Sequence, residues 1–351
     1  MRAARPVWML LLLCATLTGL PACGRQSDAI VVIALHPHNL NILYIATNDY
    51  IYKSRDEGKS WETISRGMTH SRVIAMAIDP AYPATIYAGT KGDAVYKSYD
   101  GGQRWVPLKT GLDDVTITSV VNQLVFDPGD NNHLWAATTM GVFESADGGE
   151  TWTKRMNGMR EVLMVVTLAI DPVRPDIMYA GTSGGVYKSV DRARTWAKVN
   201  RGLIPPELLS SSRALMINSL AIPPSTPDTV YAATLNGLYK TTDGARTWIR
   251  IGEDLSDQLI SALALDPSSL GTLYVAGRRG VSKSTDGGRT WKDKNAGLAS
   301  LNVRALAFSP EDLRTLYLGT NGSGLYRSRD GGETWESVPL TLHERPGTTP
   351  A

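Results

Sequence analysis

Ser284-Thr285-Asp286-Gly287-Gly288-Arg289-Thr290-Trp291 decides the fold, because it is one of seven octets built to the same plan. The plan is a hydroxyl residue, any residue, Asp, usually two glycines, any residue, usually Thr, and Trp. The copies run Ser54–Trp61, Ser98–Trp105, Ser145–Trp152, Ser189–Trp196, Thr241–Trp248, Ser284–Trp291 and Ser328–Trp335. Their aspartates, Asp56, Asp100, Asp147, Asp191, Asp243, Asp286 and Asp330, recur at intervals of 43 to 52 residues. A period near 45 residues is the length of one four-stranded propeller blade.

Working outward, each octet is preceded by three apolar or aromatic runs and followed by one more. Ala75-Met76-Ala77-Ile78 ends in Asp79-Pro80, Ile86-Tyr87-Ala88-Gly89-Thr90 follows a turn, and Val186-Tyr187-Lys188-Ser189 leads directly into an octet. The fourth run is expected to start at the octet's Trp and to close on a turn such as Gly297-Leu298. β-Branched and aromatic residues bounded by Gly, Pro, Asn and Asp are strand signals, and no helical periodicity competes with them. The pattern predicts an all-β, seven-bladed β-propeller over residues 31–340, with four antiparallel strands per blade. All seven repeats read as complete from Val31 to about Val338. The ring is therefore expected to close by packing blade seven on blade one, with no strand shared between them.

The octet has a local task. Its Asp can accept backbone N–H groups in the turn between the third and fourth strands, and its glycines supply positive φ. Its Trp offers a large apolar face to the neighbouring sheet. The seven aspartates are accordingly expected to be structural. Arg192, Ala193 and Ala245 stand where other copies carry Gly, which predicts slightly strained hairpins in blades four and five.

These octets resemble the Asp-box, or bacterial neuraminidase repeat, of sialidases, sortilin-type receptors, two-propeller xyloglucanases and photosystem II assembly factors. The resemblance covers nearly all of residues 30 to 340. It implies a shared scaffold and not a shared chemistry. Sialidases of this type resemble six-bladed rings with an Arg-Ile-Pro-type motif, whereas this chain has seven octets and no such motif after Gly24. In xyloglucanases the resemblance implies carboxylates facing each other between two propellers, and one ring lacks the second wall. Assembly factors resemble the chain in size and plan, but typically carry Gly-Trp where it has Leu43-Tyr44 or Leu316-Tyr317.

Composition narrows the function classes. The chain has 351 residues, 36 Lys and Arg against 34 Asp and Glu, a formal net charge of +2 and 42% hydrophobic residues, which supports a full core. A near-zero charge argues against nucleic acid as partner, since phosphate binding calls for a basic excess. Residues 1–22 have the form of a secretory signal: Arg2 and Arg5, an apolar stretch from Val7 to Leu20, and Ala22 before Cys23. Leu20-Pro21-Ala22-Cys23 resembles a bacterial lipobox, so Cys23 is expected to be acylated and to anchor the exported protein to a membrane. Gly24 after it resembles outer-membrane sorting. Residues 23–30 read as a lipidated linker and 341–351 as a disordered tail. Arg2, Arg5 and Cys14 would leave with the signal, leaving a neutral chain without a free thiol.

No His, Cys, Asp or Glu spacing suggests a metal, no Gly-x-Ser-x-Gly elbow occurs, and no cofactor is expected. His36 and His38 flank Pro37, His70 and His133 stand alone, and His343 lies in the tail. Recognition should fall on the top face, formed by the connections between blades and between second and third strands. Two connections there are long, Asp113–Ile117 and Ile204–Arg213. At one shared position of the inner strands, three blades carry Val31, Ile74 and Val166 while the others carry Asn122, Asn218, Ser261 and Arg304. With Arg278, Arg279 and Asn321 this suggests a polar, locally basic binding patch on blades five to seven. The expected function is a non-catalytic, monomeric scaffold that binds protein; a glycan-binding or glycoside-hydrolase-like propeller is the alternative.

Overall fold

The computed structural model describes residues 29–68, 72–112, 120–159, 164–203, 215–255, 259–269 and 271–340. The secretory segment, Cys23, the tail 341–351, His70 and the two long connections lie outside the described residues. No described helix is long and apolar enough to cross a membrane.

Twenty-eight strands form seven separate four-stranded sheets, each taking its strands in sequence order and pairing them antiparallel. The innermost strands are Val32–Leu35, Val73–Ile78, Val121–Asp127, Val165–Ile170, Ile217–Ala221, Ile260–Leu265 and Val303–Phe308. The first and last sheets share no strand. The outermost strands begin one residue later than the sequence suggests, as at Glu62 and Lys292, because the octet Trp turns inward before pairing starts. A single short 3₁₀ turn, Glu253–Leu255, interrupts the strand pattern among the described residues.

Second strands such as Ile86–Thr90 and Leu316–Thr320 are buried at every position, since a middle strand is covered by a blade on both faces. The octet tryptophans fill the space between neighbouring sheets and are all buried. Each removes about 200 Å² from water, worth about 5 kcal/mol before ordering costs. Most also donate their indole N–H to the preceding blade: Trp105 to the Ile64 carbonyl (2.6 Å), Trp248 to Val199 (2.8 Å), Trp335 to Lys294 (2.8 Å). In five blades the Gly after the outer strand, Gly67, Gly111, Gly158, Gly202 or Gly297, lies flat on the backbone of the next octet's Trp. At Gly111 (φ +85°) a Cβ would come within 2.0 Å of the Trp152 carbonyl oxygen, so only glycine fits.

Ring closure uses more than the packing that the sequence implies. Ile30, read as linker, is fully buried between blades one and seven, and its N–H donates to the Thr320 carbonyl (3.0 Å). Trp61 donates to the Pro339 carbonyl (3.0 Å), and Glu57 receives Arg327 (3.0 Å) and Arg329 (2.6 Å) across the seam. Ile30 is drawn in because Gly319, the neighbour of Thr320, leaves a space that its side chain fills.

Candidate functional site

The inner strands surround a central channel of about 280 Å³, with Val32, Ile33, Met76, Leu124, Leu263 and Leu306 among its walls. None of its described lining residues is charged. Towards the top face each inner strand from blade two to blade seven has a register shift of one residue: between Val73 and Ala75, Val165 and Thr167, Ile217 and Ser219, Ile260 and Ala262, Val303 and Ala305, and near Val121 in blade three. The residues on these bulges are Ile74, Asn122, Val166, Asn218, Ser261 and Arg304, the set aligned from sequence. A bulge releases one residue from the ladder and re-aims its side chain, and here it does so at the channel mouth.

The structure divides that set. Asn122 Nδ2 donates to the Val165 carbonyl (2.7 Å) and Asn218 Nδ2 to the Ile260 carbonyl (2.9 Å), each in the next blade. Gln123, which no sequence signal singles out, accepts the Leu168 N–H (2.7 Å) and does the same work one residue deeper. These amides stitch inner strands together, so part of the polar mouth is structural. Ser261, Arg278, Arg279, Arg304 and Asn321 are exposed. Arg304 donates to Asn321 Oδ1 (3.2 Å), Asn321 N–H donates to the Asn302 carbonyl (2.8 Å), and Gly280 N–H donates to the Leu301 carbonyl (2.8 Å). The turn carrying Arg278 and Arg279 is thus held against the segment that leads into Arg304, which puts the three exposed arginines on one side of the ring.

The octets occupy the opposite face. In each, the N–H of the fourth residue is tied to the turn between the first two strands, as Gly101 to the Ala84 carbonyl (2.8 Å) and Glu57 to Asn41 (3.0 Å). Asp286 shows the internal scheme: Oδ1 accepts the Ser284 hydroxyl (2.8 Å) and the Thr290 N–H (3.0 Å), while Oδ2 accepts the Thr290 hydroxyl (2.6 Å). The Thr290 hydroxyl first, then its N–H and the Ser284 hydroxyl, hold this carboxyl well below the usual range. Asp330 reaches about 2, because the bonds from Thr334 and Ser328 outweigh the opposing effect of burial. These carboxylates have their lone pairs committed to the turn, and none points into the channel wall.

A polar relay also runs round the ring. Lys53, Lys97, Lys188, Lys240 and Lys283 lie over Tyr44, Tyr87, Tyr179, Tyr231 and Tyr274 at 5.1 to 5.4 Å, and each ammonium donates to the first octet Gly of the next blade. Burial pushes the Tyr44 and Tyr179 phenols up to about 12, which keeps both rings neutral beneath the ammonium groups. The octets of blades one and four break the relay with Glu57 and Arg192 in place of Gly, at φ 59° and 58°. Ala193 and Ala245 are likewise at positive φ, 59° and 69°, as the sequence predicts. Glu57 escapes the sequence reading although it sits in an octet; its signal is the missing first Gly.

Seven sheets in ring order, each closed by this octet, define an Asp-box seven-bladed β-propeller. A BNR/Asp-box repeat model matches residues 326–337, and a sortilin (neurotensin receptor 3) model matches residues 49–141. No curated protein matches the sequence significantly. Among solved structures, the GH74 xyloglucanase from Xanthomonas campestris superposes with a TM-score of 0.71 at 19% identity, over 91% of this chain and 55% of that one. An ancestral GH74 enzyme gives 0.70 at 20% identity, over 92% and 48%. YCF48 bound to a D1 peptide gives 0.63 at 17% identity, over 86% and 93%. The chain thus spans about half the length of these two GH74 structures and nearly the whole of YCF48. At such identities the likeness establishes the fold alone.

Proposed function

We propose that the protein is an exported, lipid-anchored propeller that captures an extended protein segment at its channel mouth and performs no hydrolysis. The observation that carries this reading is the group of exposed guanidinium side chains, Arg278, Arg279 and Arg304, beside an uncharged, largely apolar channel. Such a mouth offers charge to an acidic side chain or a terminal carboxylate, and the channel offers an apolar wall to the residues beside it. YCF48, of nearly the same length, is a fold neighbour that holds a peptide, which supports a peptide rather than a sugar. Glycoside cleavage needs two carboxylates flanking the bond. The described channel wall carries none, which favours binding over turnover, while the GH74 neighbours keep glycan recognition as the second reading. Residues 1–22 then act as the export signal and acylated Cys23 as the anchor, with the outer membrane as destination.

The test is crosslinking in the native membrane followed by mass spectrometry, comparing the natural protein with an Arg278→Ala, Arg279→Ala, Arg304→Ala variant. Loss of a captured protein in the variant, with Cys23 recovered as an acylated N-terminus, is the expected result. Unchanged capture refutes the patch, and release of sugar from xyloglucan or sialosides by the purified protein refutes the non-catalytic reading.

A further inference from the structure

Neighbouring blades also face each other across the octet side of the ring, where the turns between first and second strands lie. At several of these junctions a long polar side chain spans the gap. His38 Nε2 reaches the Pro80 carbonyl (2.9 Å) between blades one and two, Arg192 reaches Asp127 between three and four, and Arg174 joins Asp171 to Asp228 (both 2.8 Å) between four and five. Between blades five and six the turn reads Ile222-Pro223-Pro224-Ser225, with Pro223 where blades two, three and four carry Asp79, Asp127 and Asp171. Apolar residues and prolines have nothing to extend across the gap, and the junction holds a cavity of about 370 Å³.

Its apolar walls are Ile222, Pro223, Pro224, Leu265, Pro267 and Leu273 with the Tyr231 ring, and serine and threonine side chains with Asp266 supply the polar remainder. Asp266 is the single ionisable carboxylate among the described lining residues, and no cationic side chain is among them. Asp266 Oδ1 accepts the N–H (2.9 Å) and hydroxyl (2.6 Å) of Ser268, which fixes the carboxylate; among the described residues its Oδ2 has no partner. The equivalent aspartates of blades three and four give Oδ2 to Arg192 and Arg174. The blade-six carboxylate is therefore held in place with one oxygen that meets no cation among the described residues, beside the aliphatic part of the wall.

We propose that this cavity binds a primary ammonium carried on an aliphatic stem, with the head group on Asp266 and the stem against the prolines and Leu265. A cation is selected because an anion would face an uncompensated carboxylate. The stem must be flexible and apolar to fill a space of this size, which lies within the range of small-ligand sites. Both a lysine side chain of a partner protein and a free polyamine have this chemistry. The site lies on the face opposite the arginine-lined mouth and stands independently of the function proposed above.

Calorimetric titration of the full-length protein with spermidine, with pentylamine and with acetyl-Gly-Lys-Gly-amide tests it. Binding of at least one of these amines is expected, with none for 1-pentanol or for the peptide acetylated on its lysine. Asp266→Asn keeps the bonds from Ser268 and should weaken binding about ten- to hundredfold, the effect of losing one charge-assisted hydrogen bond. Ser225→Trp, at an exposed rim position, should block entry without touching the carboxylate. Tighter binding of the peptide than of spermidine would assign a protein lysine as the natural occupant, and the reverse a polyamine. Absence of binding at millimolar amine, or affinity unchanged in a folded Asp266→Asn protein, overturns the proposal.

Discussion

The junction between blades two and three and the one between blades three and four have the same strand plan and opposite chemistry. At the first, Tyr87 (2.8 Å) and Lys97 (2.8 Å) both donate to the carbonyl of Gly148, the first octet glycine. At the second, Trp135 and Glu144 replace the Tyr and Lys, and Arg192 replaces the Gly. Arg192 turns back to the fully buried Asp127, while Glu144 takes His133 (2.8 Å) and Arg155. His133 stacks on the Trp135 ring at 5.2 Å. The exchange leaves two buried donors, Trp135 Nε1 and Arg192 Nε, without a protein acceptor, each a cost of about 1–3 kcal/mol unless water serves it. The seam between blades seven and one solves the same problem with the signs reversed, Glu57 receiving Arg327 and Arg329. The octet position thus tolerates a side chain at positive φ when the preceding blade supplies the opposite charge.

Removing that charge should have the largest effect. Asp127→Ala strands Arg192 in a junction built round it, and an expected loss of about 3–5 kcal/mol would be read from urea unfolding. A variant within about 1 kcal/mol of the natural protein would show that the pair is incidental.

Forcing the irregular solution on the regular junction should come next. At Gly148 (φ +69°) an added Cβ meets Asn132 Oδ1 at 2.7 Å and Lys97 Nζ at 3.2 Å, so Gly148→Arg adds backbone strain and sets two cations together. A loss of about 2–3 kcal/mol is expected. Adding Lys97→Glu should recover a good part of it, and no recovery would mean that shape and not charge governs the position.

The smallest effect concerns what both junctions share, the octet carboxylate. Asp56, Asp100, Asp147, Asp191, Asp243, Asp286 and Asp330 all have folded pKa values below the ordinary one. A depressed folded value contributes stability that is complete above the unfolded pKa, about 3.9, and is lost as pH falls through the folded one. The melting temperature should therefore hold from pH 7 down to about 4 and fall from there towards about 2, where Asp330 titrates. Asp286→Asn should melt a few degrees lower at neutral pH, with the difference narrowing steadily below about pH 4. A difference constant across that range would assign the octet Asp a role that its charge does not supply.

Fold was legible because it is written locally and seven times. The octet, the period and the Asp-Pro turns each demand particular residues for turn geometry, so the count of blades and strands follows from reading them. The inner-strand alignment also held, since a bulge at a fixed distance from the Asp-Pro turn puts the same residue number at the mouth in every blade. Less of the site was legible. That Asn122 and Asn218 reach a neighbouring blade's carbonyl depends on the distance between sheets, which no single repeat encodes.

The sequence by itself determined the repeat, the ring, the positive-φ positions at Arg192, Ala193 and Ala245, and which residue types meet at the channel mouth. Only the tertiary structure decided that Ile30 belongs to the seam, that Glu57 and Arg192 answer charges on the preceding blades, and that blades five and six leave a cavity where His38, Arg192 and Arg174 bridge three other junctions. The reason is physical: turn chemistry acts within a few residues of chain, whereas a junction brings together residues from two blades, and its chemistry is fixed only when the ring closes.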